Sequence, residues 1–463
     1  MNSSEDLRHD AGSLYRFIQL IAASCQADSG HQAYDAPSIQ FFTYIDELAK
    51  VTLSYLDRFA DAGPVDPDLY YIYRQKLLDL RSGWSMLHNF IKPAFDADTL
   101  QVPSPLIQWL TRRLNMLATF RAATFVVFHT SEVNYLHLNT GAIRDLAGQL
   151  SSLIPGGKGF PADLGLIGIP YSQASALFLN CLIPHEIGHY AYQETTAINR
   201  LLPHVANSIS SVLLPKIASV TPSDIQKCLA RIQSWAQELF CDLFAIWMIG
   251  PAYSYAYIEI FDLPRVLSPD GKAMDLECGF NASHPSHIFR LQQQIELLKQ
   301  LGWWRHIVKT KSHYSEVLQA IMNVDVSKFG FSLPENTSLG TDTLASFLLL
   351  CPHIHDVVTA TVSGLDSGVH GFEEYQKDIQ KYLSRAVVPS SLVHNGVLCH
   401  PDPVAIINAS YGLYLEALDD LIIHVEGQDS TSVRVRGQWT DRLELWTMKA
   451  IEDYGLLINQ ATV

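Results

Sequence analysis

Charge is scarce in this chain: Asp, Glu, Lys and Arg make up 17% of its 463 residues, below the roughly one quarter usual for soluble proteins. The deficit implies a large buried interior, or a surface covered by partner or substrate. Positive charge is scarcer still. With 32 Lys and Arg against 47 Asp and Glu, the net charge is -15. That balance argues against nucleic acid or an anionic membrane surface as the main partner, because both demand a basic face. No CxxC pair occurs, and the seven cysteines are scattered and odd in number, so a reduced, cytoplasmic protein is expected rather than a disulfide framework. The segment Met1 to Asp10 has no basic start leading into an apolar run, so no signal peptide is expected. No stretch of 18 uncharged apolar residues is present either. The most apolar region, Leu239 to Phe261, is interrupted by Asp242 and Glu259 and reads as a buried helix rather than a membrane span. Internal repeats and low-complexity tracts are also missing.

What is present is enough apolar material, 48% of residues, for more than one core, and the length predicts two or three domains. Helical periodicity dominates the first 120 residues. Leu14, Phe17, Ile18 and Ile21 share a face, as do Ile45, Leu48, Val51 and Tyr55. Pro64 and Pro67 precede a third helix near Leu69 to Phe90, and Pro105 marks the first turn of a fourth. Phe125 to His129, Val133 to His137 and Leu164 to Pro170 read as strands, with the loop Pro155-Gly156-Gly157-Lys158-Gly159 before the last. Helices resume near Ser172. Thr221 and Pro222 form a helix start, and a further helix is expected from Pro285 along Ile288, Leu291, Ile295 and Leu298. Ser332 to Asp342 and Val388 to Asp402 read as loops. Ala405 to Leu457 reads as mostly helical, with a polar break at Glu426 to Ser432.

One motif carries chemistry. His185-Glu186-Ile187-Gly188-His189 is an HExxH sequence. On a helix its two histidines lie one turn apart on one face, so both imidazoles can bind one cation, and Glu186 is placed to reach water held by that cation. A random chain of this composition would hold about 0.7 HxxxH pairs, but only about 0.03 with Glu after the first His. The flanks Ala176 to Leu179 and Tyr190 to Tyr192 are apolar, so the motif belongs to a buried helix whose polar groups need partners. Pro184 either kinks that helix or begins a new one.

A third protein ligand is required, with the fourth position left to water. Glu238 and Asp242 stand four residues apart on the apolar segment around Leu239, Phe240, Leu243, Phe244 and Trp247. Two carboxylates on such a face are costly unless they bind something. The simplest solution makes Glu238 the ligand and Asp242 an acceptor for the N–H of a ligating histidine. No cysteine joins the motif, and a base sits beside the first ligand. Both features favour a catalytic site over a closed structural one.

The succession HExxH, then Glu238-Leu239-Phe240-Cys241-Asp242, then Ser283-His284-Pro285-Ser286-His287-Ile288-Phe289-Arg290, resembles the gluzincin metallopeptidases. Within them it is most similar to the family of the CAAX prenyl proteases and HtpX heat-shock peptidases. The likeness covers residues 160–300. It implies one Zn2+ ion held by His185, His189 and Glu238, peptide-bond hydrolysis with Glu186 as base, and the His284 to Arg290 segment packed near the site. It departs from the membrane members in having no transmembrane helices. The fold expected is α+β and predominantly α-helical, a zincin-like core with a small sheet at 121–303, between helical regions 1–120 and 304–463.

Within that reading His284 and His287 are the leading candidates to stabilise an oxyanion, with Tyr190 and Tyr192 behind them. Arg290 is expected to hold an acidic partner such as Asp242. The strand Leu164 to Pro170 is expected either to pair with an extended peptide substrate, as an edge strand does in gluzincins, or to serve as a core strand. Cys351, His353 and His355 lack a fourth ligand for a second metal, and Cys399-His400 supports no nucleophile arrangement. The competing readings are a zinc-containing interaction or sensing module without hydrolysis, and a hydrolase acting on a non-peptide bond.

Overall fold

The computed structural model describes residues 3–29, 36–60, 66–95, 103–120, 122–130, 136–138, 140–157, 161, 163–170, 176–213, 215, 221–261, 284–310, 312–325, 337–426 and 432–461. Pro64, 133–135, Lys158, Gly159, Ser172, Cys278, Ser283, 332–336 and 427–431 lie outside them. Among the described residues the chain is predominantly helical with a small sheet. It divides into two compact units, one of Met1–Val102 with Ala122–Ala174, the other of Pro103–Arg121 with Ser175–Val463. This differs from the three-part division expected: the strands group with the first helices, and both halves of the candidate metal site group with the C-terminal helices.

In the first unit α1 (Ser3–Ser29), α2 (Ala36–Ala60) and α3 (Pro67–Phe95) bury the stripes their periodicity implies. Leu14, Ile18 and Ile21 meet Phe41, Ile45 and Leu48, and Leu80 and Trp84 join the same core. The strands β1 (Thr124–Thr130), β2 (Leu136–Leu138) and β3 (Leu164–Pro170) form one sheet in the order β1-β3-β2, with α5 (Thr140–Leu153) leading back to β3; the helix α4 (Ser104–Asn115) belongs to the second unit. β3 pairs parallel with β1 over its whole length and antiparallel with β2 at Leu166 to Gly168. Every residue of β3 is buried. One edge is thus fully occupied by β1 and the other in part by β2, which favours the core-strand alternative over strand addition by a peptide substrate.

The second unit is built around a long central helix. α6 (Leu177–Asn180) leads into α7 (Ile183–Glu194), which carries HExxH; α8 (Ala197–Leu213) follows, then α9 (Pro222–Ile249) with Glu238 to Asp242. Thr221 and Asp224 close a capping box at the start of α9, the Asp224 amide donating to Thr221 Oγ1 at 3.2 Å and the Thr221 amide to Asp224 Oδ2 at 3.0 Å. Trp235, Leu239, Phe240, Leu243 and Phe244 are wholly buried. The apolar run Leu239 to Phe261 is two helices rather than one. Gly250, at φ +68°, ends α9, and Pro251 opens α10 (Pro251–Ile260). Asn408 staples this corner, its amide accepting from Ala252 N at 2.9 Å and donating to Ile249 O at 2.8 Å.

The rest of the unit is α11 (His287–Gln300), which begins two residues after the expected Pro285, α12 (Trp304–Lys309), α13 (His313–Ile321), α14 (Thr337–Thr361), α15 (Val369–Leu383), α16 (Pro403–Glu426) and α17 (Val433–Ala461). α14 starts inside the stretch expected as a loop. Its segment Gly340–Thr361 is long and apolar enough to cross a bilayer by length and composition, but it packs on α8 and α9 and carries Asp342, His353, His355 and Asp356. The expected loop at Val388 to Asp402 holds a hairpin, β4 (Leu392–His394) and β5 (Val397–Cys399). Its turn residues Asn395 and Gly396 both have positive φ, +50° and +81°, and Asn-Gly is the strongest short-range hairpin signal.

Candidate metal centre

Pro184 falls in the first turn of α7, where its missing N–H costs nothing and its fixed φ favours helix initiation. It therefore starts a helix rather than kinking one. One turn further, Gly188 faces α9. A Cβ built on it would stand 2.8 Å from Cys241 Cα, closer than such atoms approach, so glycine is what lets α7 and α9 touch here. The contact sets Glu238, Cys241 and Asp242 against His185 and His189.

Glu238 bridges the two histidines, its oxygens 3.5 Å from His185 Nε2 and 3.7 Å from His189 Nε2. Donors about 2.0–2.1 Å from one tetrahedral cation lie about 3.4 Å apart, so one cation can span these separations, which are also those of His–Glu ion pairs. The sulfur of Cys241 enters the same cluster: it and one ring nitrogen from each histidine lie within 4.8 Å of one another. A buried His185–His189–Cys241 group that can hold a metal ion is therefore present. The expectation that no cysteine joins the motif is overturned. Cys241 follows Glu238 by three residues on α9, a helical neighbour that the HExxH pattern alone does not flag.

Around these donors the polar groups are closely accounted for. Asp242, fully buried, accepts from Arg290 Nε at 2.6 Å and Nη2 at 2.7 Å, and lies 2.9 Å from His185 Nδ1. Tyr253 of α10 donates to the same Asp242 oxygen and stands 3.2 Å from His185 Nδ1. Arg290 Nη1 also reaches Glu238 at 3.2 Å. With Nδ1 of His185 held on Asp242, it is Nε2 that faces Glu238. On the other side, the Gln237 amide lies 3.0 Å from His189 Nδ1.

Electrostatics follow from this packing. Burial opposes ionisation of Asp242, but Arg290 outweighs it and holds the carboxyl well below its usual range. Glu238 behaves alike: burial is offset by the hydrogen bond to His185 and by Arg290. Burial would discharge His185, yet Asp242 and Glu238 push its pKa up to about 10. Burial raises the Cys241 thiol, and Glu238, Asp242 and Glu186 add to that. Three carboxylates thus share this position with the Arg290 guanidinium and the charged His185 imidazole, and the remaining negative charge favours a cation.

The third expected segment joins the cluster unevenly. His284 is half exposed, with Nε2 3.7 Å from Glu238, and burial lowers its pKa. His287 instead bonds Tyr257 Oη through Nδ1 at 2.6 Å and lies 4.2 Å from the Phe261 ring. Burial, then Arg290, push its pKa down to about 3. Tyr190 packs on Phe120 and Tyr192 on Phe240. Cys351, His353 and His355 diverge: the thiol bonds Phe347 O, His353 stacks on His204, and His355 meets Gln293. Tyr253, Tyr257 and Gln237 were not legible as site residues. Tyr253 arrives through the Gly250 corner, which breaks the helical period that would have related it to Asp242. No protein-family model, no curated protein and no solved structure matches the chain.

Proposed function

We propose that the protein is a zinc-dependent peptidase with a zincin-like core, in which His185, His189 and Glu238 hold one zinc ion and Glu186 is the general base. The observation that carries this reading is the Glu238 carboxylate set within 3.5 and 3.7 Å of the two Nε2 atoms, with Asp242 and Arg290 fixing both partners from behind. Bound zinc supplies Lewis acidity to the scissile carbonyl and makes water acidic near neutral pH. Glu186 takes the proton from the attacking water and passes it to the leaving amine of a peptide or protein substrate. Asp242 holds His185 in the tautomer that offers Nε2. The Gln237 atom beside His189 Nδ1 is its amide nitrogen, at 3.0 Å; for His189 to offer its own Nε2, the proton sits on Nδ1 and the Gln237 amide turns its oxygen to accept it. His284, half exposed beside Glu238, is the donor for the oxyanion, while His287 is engaged by Tyr257 and Phe261 and serves packing.

Cys241 favours a second reading, a closed structural site that holds zinc for an interaction or sensing role without hydrolysis. Cysteine is a common structural ligand. Burial and then three nearby carboxylates, however, raise this thiol's pKa and oppose its ionisation, whereas Glu238 is held ionised, and the catalytic reading is preferred. The test compares zinc content and cleavage of a mixed peptide library in wild type, Glu186→Gln and Cys241→Ala. All three should hold about one zinc per chain. Wild type and Cys241→Ala should cleave, and Glu186→Gln should lose at least about 100-fold in rate. Zinc lost from Cys241→Ala, with no cleavage by wild type, supports the structural site. A wild type that neither contains nor takes up zinc overturns both.

A further inference from the structure

Asp242 Oδ1 is a shared acceptor. Arg290 Nη2 approaches it at 2.7 Å, His185 Nδ1 at 2.9 Å, and the Tyr253 hydroxyl donates to it as well. The same hydroxyl lies 3.2 Å from His185 Nδ1, and the tyrosine ring runs parallel to the imidazole, 3° between planes. Tyr253 and Asp242 sit on different helices, and Tyr253 reaches the site only because Gly250 and Pro251 turn the chain and Asn408 of α16 holds that turn through Ala252 N and Ile249 O. Tyr253, Ala252 and Asn408 are all buried, so the arrangement is fixed by packing as well as by hydrogen bonds.

Resting on the peptidase reading, the geometry points to Tyr253 as a positioning residue for the metal. Its hydroxyl braces Asp242 Oδ1 and His185 Nδ1 together, so that the imidazole cannot rotate or exchange tautomers and its Nε2 stays directed at the Glu238 side. Arg290 holds Asp242. Tyr253 contacts both members of the pair. Without the hydroxyl the Asp242–His185 hydrogen bond remains but its orientation is no longer constrained from the α10 side, and a loosely held ligand binds its cation less tightly. Partners that orient ligating histidines change metal affinity by about 10- to 100-fold when removed.

The experiment is Tyr253→Phe, which keeps the ring and removes only the oxygen. Affinity is measured by competition with a chromophoric chelator, using Zn2+ and then Co2+, and the visible absorption of the Co2+ form is recorded on wild type and variant. The expected result is a Tyr253→Phe protein with native far-UV circular dichroism, metal affinity about 10- to 100-fold weaker, and an altered Co2+ spectrum. Asn408→Asp, which retains the acceptor for Ala252 N and loses the donor to Ile249 O, should move both readouts in the same direction by a smaller amount. A variant with wild-type affinity and an unchanged Co2+ spectrum overturns the inference, even if its melting temperature falls, because a packing role alone would produce that. A wild type that binds neither ion sinks the underlying peptidase reading instead, so the two failures are distinguishable.

Discussion

Replacing Gly188 by alanine tests how α7 and α9 are joined. The new methyl would meet Cys241 Cα at 2.8 Å, Cβ at 3.1 Å and the carbonyl oxygen at 3.3 Å. The closest of these is backbone, which cannot rotate away, so the helices must separate by several tenths of an ångström. Overpacking of this kind costs about 1–3 kcal/mol. Against it stands about 1 kcal/mol gained from the better helix propensity of alanine. Gly437 of α17 supplies the control: it is helical, exposed, and a Cβ there meets nothing within 4 Å. Gly437→Ala collects the propensity gain alone, about 0.4–1 kcal/mol. The two variants should therefore differ by about the overpacking cost, 1–3 kcal/mol, with Gly437→Ala above wild type and Gly188→Ala at or below it. Urea unfolding followed by tryptophan fluorescence reads the difference. Separation of the helices also pulls Glu238 and Asp242 away from His185, so Gly188→Ala should give up metal to a chelator faster than wild type. Equal unfolding midpoints together with unchanged metal retention would refute the close-contact argument.

Arg290→Ala leaves Asp242 and Glu238 buried without their cation and should destabilise the protein by about 3–5 kcal/mol, read by urea unfolding at pH 7. Because Arg290 depresses both carboxyl pKa values, its contribution is present above the ordinary carboxylate range and is lost as pH falls below it, so variant and wild type should converge in acid. Glu444 shows the opposite sign. Its carboxylate accepts from Phe178 N at 2.9 Å at the start of α6, and burial pushes its pKa up to about 7. Ionising it in the folded state costs stability between the unfolded value near 4.5 and 7, by up to about 3 kcal/mol above that window. Glu444→Gln keeps the acceptor without the charge, so it should melt above wild type at pH 8 and coincide with it at pH 4; equal melting at pH 8 would refute the assignment.

Local pattern determined a good deal about this protein. The apolar stripes of α1 and α2, the first-turn prolines of α4 and α9, and the Thr221 cap are all readable because helix formation and capping depend on neighbours within four residues, whereas Pro184 left a kink and a helix start equally open. HExxH and the Glu238–Asp242 pair were legible for the same reason: each is a one-turn relation on a single helix. The hairpin at Asn395-Gly396 carried an equally local signal, though its flanking residues are too few to show alternation.

Tertiary structure decided what links distant segments. Whether β3 is an edge or a central strand depends on β1 and β2, which pair with it from 40 residues away and from the opposite side. That Cys241 enters the metal cluster follows from the approach of α7 to α9 at Gly188, a contact across 53 positions. That Tyr253 reaches Asp242 depends on a corner at Gly250 held by Asn408, more than 150 residues downstream. The sequence by itself specified which side chains share a helix face; the packing of one helix on another decided which of those faces meet, because burial rewards any apolar match and only the assembled core selects among them.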